Sequence, residues 1–356
     1  MHNSKVLTKA ILGRYEQFWN HEETDRPILS LFVPDKSVDW SHLAPKDLKD
    51  TWENLECRQV RTAYGAKHVK CYGEAMPGDH ANFGPGCLAA MIGSDYLLMP
   101  HTVWFGEEVK PLENDWSNLK SVYLREDSAM YKLATNLTQI LLEKNDGSYL
   151  VGMTDLGGNL DIIASLRGTM NLLTDMLDHP DEVLKAVEII DDIWIEVYSR
   201  IRKMIASKQY GHTTWLGPWC DTSYYPLQCD FGAMISPDDF ERFVMPSMRR
   251  TTDFLDHSIF HLDGPGMIAH LDMLLSLELM DGIQWVPGAG SDPVWNERWF
   301  PMYEKIQAAG KVLALDCYGG SKDQILNICK KLSPKGLWLT AHLDSEEDAK
   351  EILAKA

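Results

Sequence analysis

Short apolar runs alternate along the chain with longer stretches that carry apolar residues at helical spacing. PILSLFV (27–33) follows the turn signal Asp25-Arg26-Pro27 and reads as a strand. HVKCYGE (68–74), SYLVGMT (148–154), HTTWLG (212–217), SIFHLDG (258–264), GIQWVPG (282–288), KVLALD (311–316) and GLWLTAH (336–342) read as seven more. Helical spacing runs over 181–207, 236–256, 321–333 and 345–356. Asp178 and Asp181 are both N-cap candidates for the first of these. Ser236 before Pro237, Ser321 and Ser345 open the other three. Strands that alternate with helices build a parallel sheet with right-handed crossovers. The expected fold is α/β: eight such units closing into a single (β/α)8 TIM barrel over residues 1–356. An open doubly wound sheet is the alternative. The stretch 75–147 is less regular and is expected to hold additional helices or an inserted segment in the N-terminal third.

Charge narrows the range of partners. Lys and Arg total 34 and Asp and Glu 52, a formal net charge of −18. Nucleic-acid binding rests on cationic side chains that neutralise phosphates, so neither nucleic acid nor an anionic membrane is an expected partner. No run approaches the roughly 18–20 apolar residues that span a bilayer. The N-terminal stretch is charged and lacks an apolar signal core, and the expected location is the cytoplasm. The seven cysteines are scattered without a CxxC pair, which fits a reducing compartment better than a disulfide framework.

In a βα barrel the working residues lie at the C-terminal ends of the strands. Those ends carry Glu74, Asp155, His261 with Asp263, Trp285, Asp316 with Cys317, and His342. His261-Leu262-Asp263 is the sharpest local feature. Residues i and i+2 of a strand face one side, so both side chains can converge on one point as metal ligands do. His342 can supply a third ligand across the mouth, and Cys317 a fourth. Imidazole and carboxylate suit zinc or another divalent first-row metal. The bland alternatives are a hydrogen-bonded His–Asp pair and a small buried cysteine. Glu74, Asp155 and Asp230 are candidate proton donors or acceptors. Asp230 reads equally as an ordinary loop residue, and Asp161 as a capping group. Trp215, Trp219, Tyr225 and Trp285 are candidate substrate-binding aromatics, able to stack on a ring or attract a methylammonium group, with helix packing as the alternative. The loops GAGSDP (288–293) and DCYGG (316–320) match neither a dinucleotide nor a P-loop fingerprint and read as tight turns.

Three segments carry a resemblance over nearly the whole chain. QCDFGAMISPDDFERFVMP (228–246) looks like a segment of the form xSPxxFxxFxxP. IFHLDG (259–264) looks like a zinc motif of the form His-x-Cys-Gly. LTAHLD (339–344) falls where a later zinc-binding Cys or a His stands. The chain thereby resembles the uroporphyrinogen decarboxylase superfamily, closest in pattern to its zinc-dependent corrinoid methyltransferases. The resemblance implies a (β/α)8 barrel and a Zn2+ site at His261, Asp263 and His342. It implies transfer of a methyl group between a small methylated substrate or pterin and a corrinoid held on a separate protein. Asp263 and His342 stand where such enzymes carry cysteines, which points away from thiol activation. The decarboxylase itself is excluded. The stretch after the first strand, LFVPDKSVDW, has one Lys and no Arg for a polycarboxylate, and Ile162 or Ile163 stands where that enzyme carries a Tyr. Two rival readings remain: a lyase acting on a small organic acid with His261 and His342 as acid and base, and a non-catalytic corrinoid- or tetrapyrrole-binding protein.

Overall fold

A computed structural model describes residues 5–356. Its strands are β1 (Ile28–Pro34), β2 (Val69–Gly73), β3 (Gly78–His80), β4 (Tyr96–Leu98), β5 (Val103–Phe105), β6 (Leu150–Gly152), β7 (Tyr224–Gln228), β8 (His257–Asp263), β9 (Gly282–Val286), β10 (Val312–Asp316) and β11 (Leu337–His342). Seven form one sheet in the order β2-β1-β11-β10-β9-β8-β7. All neighbours in it are parallel except β1 and β2, which pair antiparallel with Ser30 opposite Gly73 and Pro34 opposite Val69. β3 and β6 form a separate parallel pair, and β4 and β5 an antiparallel one.

The two faces of this sheet are buried differently. Leu29, Leu31, Phe260, Leu262, Ile283, Trp285, Leu313, Leu315, Leu337 and Leu339 enter the large core shared with the helices. The alternate residues Ile28, Tyr224, Ile259, Val312, Ala314 and Trp338 enter a smaller cluster. Tyr15, Phe18 and Trp19 of the first helix, Lys9–Trp19, and Leu150 of β6 complete that cluster. Burial on both faces explains why these strands read as continuous apolar runs.

Two strand expectations need correction. HTTWLG (212–217) is not a strand: only His212 and Thr213 make isolated bridges, to Cys220 and Gly152. The strand in this region is β7, whose Pro226 argues against a strand when read in sequence. β7 is at the edge of the main sheet and pairs only with β8 there, so the missing N–H of Pro226 is tolerated. HVKCYGE does contain a strand, but β2 runs against its neighbour rather than with it.

The helices follow their start signals with two changes. The 27-residue helix Pro180–Ala206 begins on a proline, and His179 rather than an aspartate precedes it. The stretch 236–256 divides into Pro237–Phe243 and Met245–Phe254, because Pro246 has no N–H to continue the first helix. Ser236, Ser321 and Ser345 each cap their helix through the side-chain oxygen, Ser321 in a capping box with Gln324. The irregular stretch 75–147 holds β3, β4, β5 and the helices Leu88–Met91 and Ala129–Glu143. No helix among the described residues is long and apolar enough to cross a membrane.

Candidate metal centre

The i, i+2 spacing on β8 sends His261 and Asp263 to one face of the sheet, as the sequence suggests. Asp230, just beyond the end of β7, joins them. Ligand-capable atoms of Asp230, His261 and Asp263 all lie within 4.8 Å of one another. Asp230 is exposed and the other two are half-buried.

Each of these residues is held from behind. His261 Nδ1 lies 2.6 Å from Gln284 Oε1, and Gln284 Nε2 donates to Asp316 Oδ2 at 2.7 Å. The backbone N–H groups of Asp230 and Phe231 donate to the two oxygens of Asp161 at 3.1 and 2.7 Å. Asp155 stands close by. Its Oδ1 accepts from Gly157 N–H at 3.0 Å, Gln228 Nε2 at 3.2 Å and the Tyr225 hydroxyl at 3.3 Å.

Carboxylates crowd this region, and burial governs their protonation. Desolvation pushes Asp155 and Asp316 up to about 6, with the charge of His261 pulling both the other way. Asp161 rises to about 7, from burial first and the neighbouring charge of Asp230 second. Asp230 is raised as well, by burial and then by Asp263, against the opposing effect of His261.

Beside the group lies a cavity of about 450 Å³. Phe32, Met76, Thr214, Trp215, Trp338 and His342 are among its lining residues. Trp215 is the link between the two places: it lines the cavity, and its ring meets His261 edge-on at 5.1 Å between centroids.

The remaining sequence candidates are dispersed. His342 is exposed at the end of β11, between the rings of Phe32 and Tyr318 at 5.4 and 5.0 Å, and stands outside the Asp230–His261–Asp263 group. Cys317 is fully buried in the large core. Burial pushes its thiol pKa up, which disfavours the thiolate a metal needs. Glu74 is 3% exposed and accepts a bidentate pair from Arg26 at 2.6 and 2.9 Å and the Leu29 N–H at 3.0 Å. It lies near the start of β1 because β2 is antiparallel, so the end of β2 is at the opposite pole from the other strand ends. Trp285 pairs with Leu262, faces away from His261 and packs on Trp299 at 4.8 Å. Trp219 is buried in the smaller cluster against Tyr15, and Trp19 Nε1 donates to its carbonyl. Tyr225 is buried and reaches the site only through its hydroxyl on Asp155.

Gln284, Asp316 and Asp161 surround the group; sequence reasoning named Asp316 only as a strand end and Asp161 only as a capping group, and did not single out Gln284. A lone amide inside the apolar run GIQWV was the available signal for Gln284.

No protein-family profile and no curated protein sequence matches the chain. Among solved structures it is similar to a methyltransferase from Methanosarcina mazei, with a TM-score of 0.63 and 12% sequence identity. The match covers 97% of this chain and 98% of that one, so the two share a fold over essentially their whole lengths.

Proposed function

We propose that this chain is a metal-dependent methyltransferase working at the C-terminal edge of its parallel sheet. The observation that carries the reading is the convergence of Asp230, His261 and Asp263 within 4.8 Å. One imidazole and two carboxylates fit Zn2+ or a similar divalent ion, and that donor set lacks the thiolates of a thiol-activating centre. A cation bound there supplies a Lewis acid for the heteroatom that carries the methyl group. The cavity beside Trp215 holds the body of a small methylated substrate or pterin and excludes water from it. Asp155, with its pKa near 6, holds or releases a proton beside the group. The second methyl site is a corrinoid carried by a separate protein. The shared fold with the Methanosarcina mazei methyltransferase supports this reading.

We also propose that the sheet closes into a (β/α)8 barrel, in which β3 and β6 join the six parallel strands β1, β11, β10, β9, β8 and β7 and antiparallel β2 is not counted. The parallel bridge from Gly152 to Thr213 supports it. So does the meeting of β1, β6, β7, β8, β10 and β11 side chains in one small cluster.

The experiment is metal analysis of the purified protein followed by a transfer assay. Reduced free cobalamin serves as surrogate acceptor, and methylcobalamin formation is read by absorbance across a panel of methylamines, methoxylated aromatics and a methylated pterin. Near-stoichiometric metal and transfer that His261→Ala abolishes are expected. Less than a tenth of an equivalent of transition metal, with no thermal stabilisation on adding zinc, overturns the metal reading. Carbon dioxide release from a small acid by such metal-free protein makes it a lyase instead.

A further inference from the structure

We infer that Gln284 and Asp316 form an amide relay that positions His261, fixing its proton on Nδ1 and leaving the Nε2 lone pair to the site. The inference deepens the proposed metal centre and rests on it only for what Nε2 binds.

Three side chains on one face of adjacent strands make the relay. His261 and Gln284 are register partners on β8 and β9. Gln284 pairs with Ala314 on β10, and Asp316 lies two residues further on the same face. Gln284 is 2% exposed, so its amide has no solvent to turn toward. Its two ends are not interchangeable: one only accepts hydrogen bonds and the other only donates. The Asp316 carboxylate accepts, at 2.7 Å, and therefore takes the Nε2 end. That turns Oε1 toward His261 Nδ1 at 2.6 Å. A carbonyl oxygen accepts only, so Nδ1 carries the proton and Nε2 has the lone pair.

The carbonyl oxygen of the amide fixes the tautomer and ring angle of the imidazole. The negative charge is kept one residue away, on Asp316, where it orients the amide. Partners that hold a ligating histidine in this way commonly change metal affinity by about 10- to 100-fold when removed. Gln284 and Asp316 lie outside the Asp230–His261–Asp263 group and act on it through His261, so both are positioning residues.

Nitrogen-15 NMR of the metal-free full chain tests this directly. Signals of His261 are identified by their loss in His261→Gln. The wild type is expected to show the Nδ1–H tautomer. Gln284→Leu is expected to shift His261 toward Nε2–H, the form free imidazole side chains prefer, and to weaken zinc binding by about 10- to 100-fold in a chelator competition. Asp316→Leu frees the amide and should give a mixture of tautomers. Asp316→Asn, whose oxygen can still accept from Gln284, should keep the wild-type tautomer. A wild-type His261 carrying its proton on Nε2 overturns the relay, and this measurement needs no variant that alters the core. A Gln284→Leu protein with unchanged tautomer and zinc affinity overturns it equally. Failure of the methyl-transfer reading alone leaves the tautomer result standing, because that readout involves neither metal nor activity.

Discussion

Asp161 holds Asp230 in place through the backbone rather than the side chain: its carboxylate accepts the N–H groups of Asp230 and Phe231. The loop carrying the third ligand candidate is therefore tied to the helix Asn159–Arg167. Asp161→Ala should leave both N–H groups without an acceptor. Zinc affinity should fall by about tenfold or more, and the protein should lose about 1–3 kcal/mol per orphaned group. Chelator competition and urea unfolding on one preparation read both effects. Unchanged zinc affinity would show that Asp230 is no ligand.

Glu74 is expected to be structural. Glu74→Gln should destabilise by about 3 kcal/mol, since it breaks a nearly buried bidentate pair and leaves Arg26 uncompensated. Zinc affinity should stay within about twofold, because the side chain belongs to the opposite pole of the sheet. Thermal unfolding together with zinc titration separates this from the acid–base role that its sequence position suggests.

The ligand set can be settled by comparing variants. His261→Ala and Asp263→Ala should each abolish tight zinc binding. His342→Ala and Cys317→Ala should leave it within about threefold, as neither belongs to the converging group. Isothermal titration of the four variants checks this. Loss of binding in His342→Ala would restore the ligand set that the sequence resemblance implies.

Asp191 offers a test in which burial is the largest influence on a carboxyl away from the site. It is 2% exposed on the helix Pro180–Ala206, accepts from Ser247 Oγ at 2.7 Å, and is raised by desolvation to about 6. Below about pH 4 both folded and unfolded chains hold its proton. Between about pH 4 and 6 the unfolded chain releases the proton that the folded chain keeps, so the native state loses stability as pH rises. Relative to wild type, Asp191→Asn should therefore gain about 3 kcal/mol between about pH 4 and pH 7.5. Urea unfolding at several pH values measures the difference. A flat difference would place the native carboxyl near its ordinary value.

Much of the framework is legible in the residues. SIFHLDG, GIQWVPG, KVLALD and GLWLTAH read as strands because a sheet buried on both faces needs unbroken apolar runs bounded by turns. The pairing of His261 with Asp263 follows from strand periodicity alone. What escapes is whatever depends on partners distant in sequence. The direction of β2 is set by how the chain returns after β1, and no local pattern encodes it. Reading the end of every strand as one pole therefore misplaced Glu74. Trp285 ends its strand as expected, yet register with Leu262 rather than His261 turns it outward. Cys317 is one position past Asp316, and that single step separates the relay from the core. β7 was hidden by Pro226, whose tolerance depends on an edge position that only the assembled sheet reveals.

The reversed strand also decides where this scaffold can be rebuilt. Residues 35–68 leave β1 and re-enter β2 at the same pole, since Pro34 faces Val69. Their helix Leu55–Lys67 contributes Arg61, Thr62, Gly65 and Ala66 to the cavity wall. The turn after β2, in contrast, belongs to the floor with Glu74. An engineer seeking new substrates should graft or randomise the span before β2 and leave the turn at Glu74 alone.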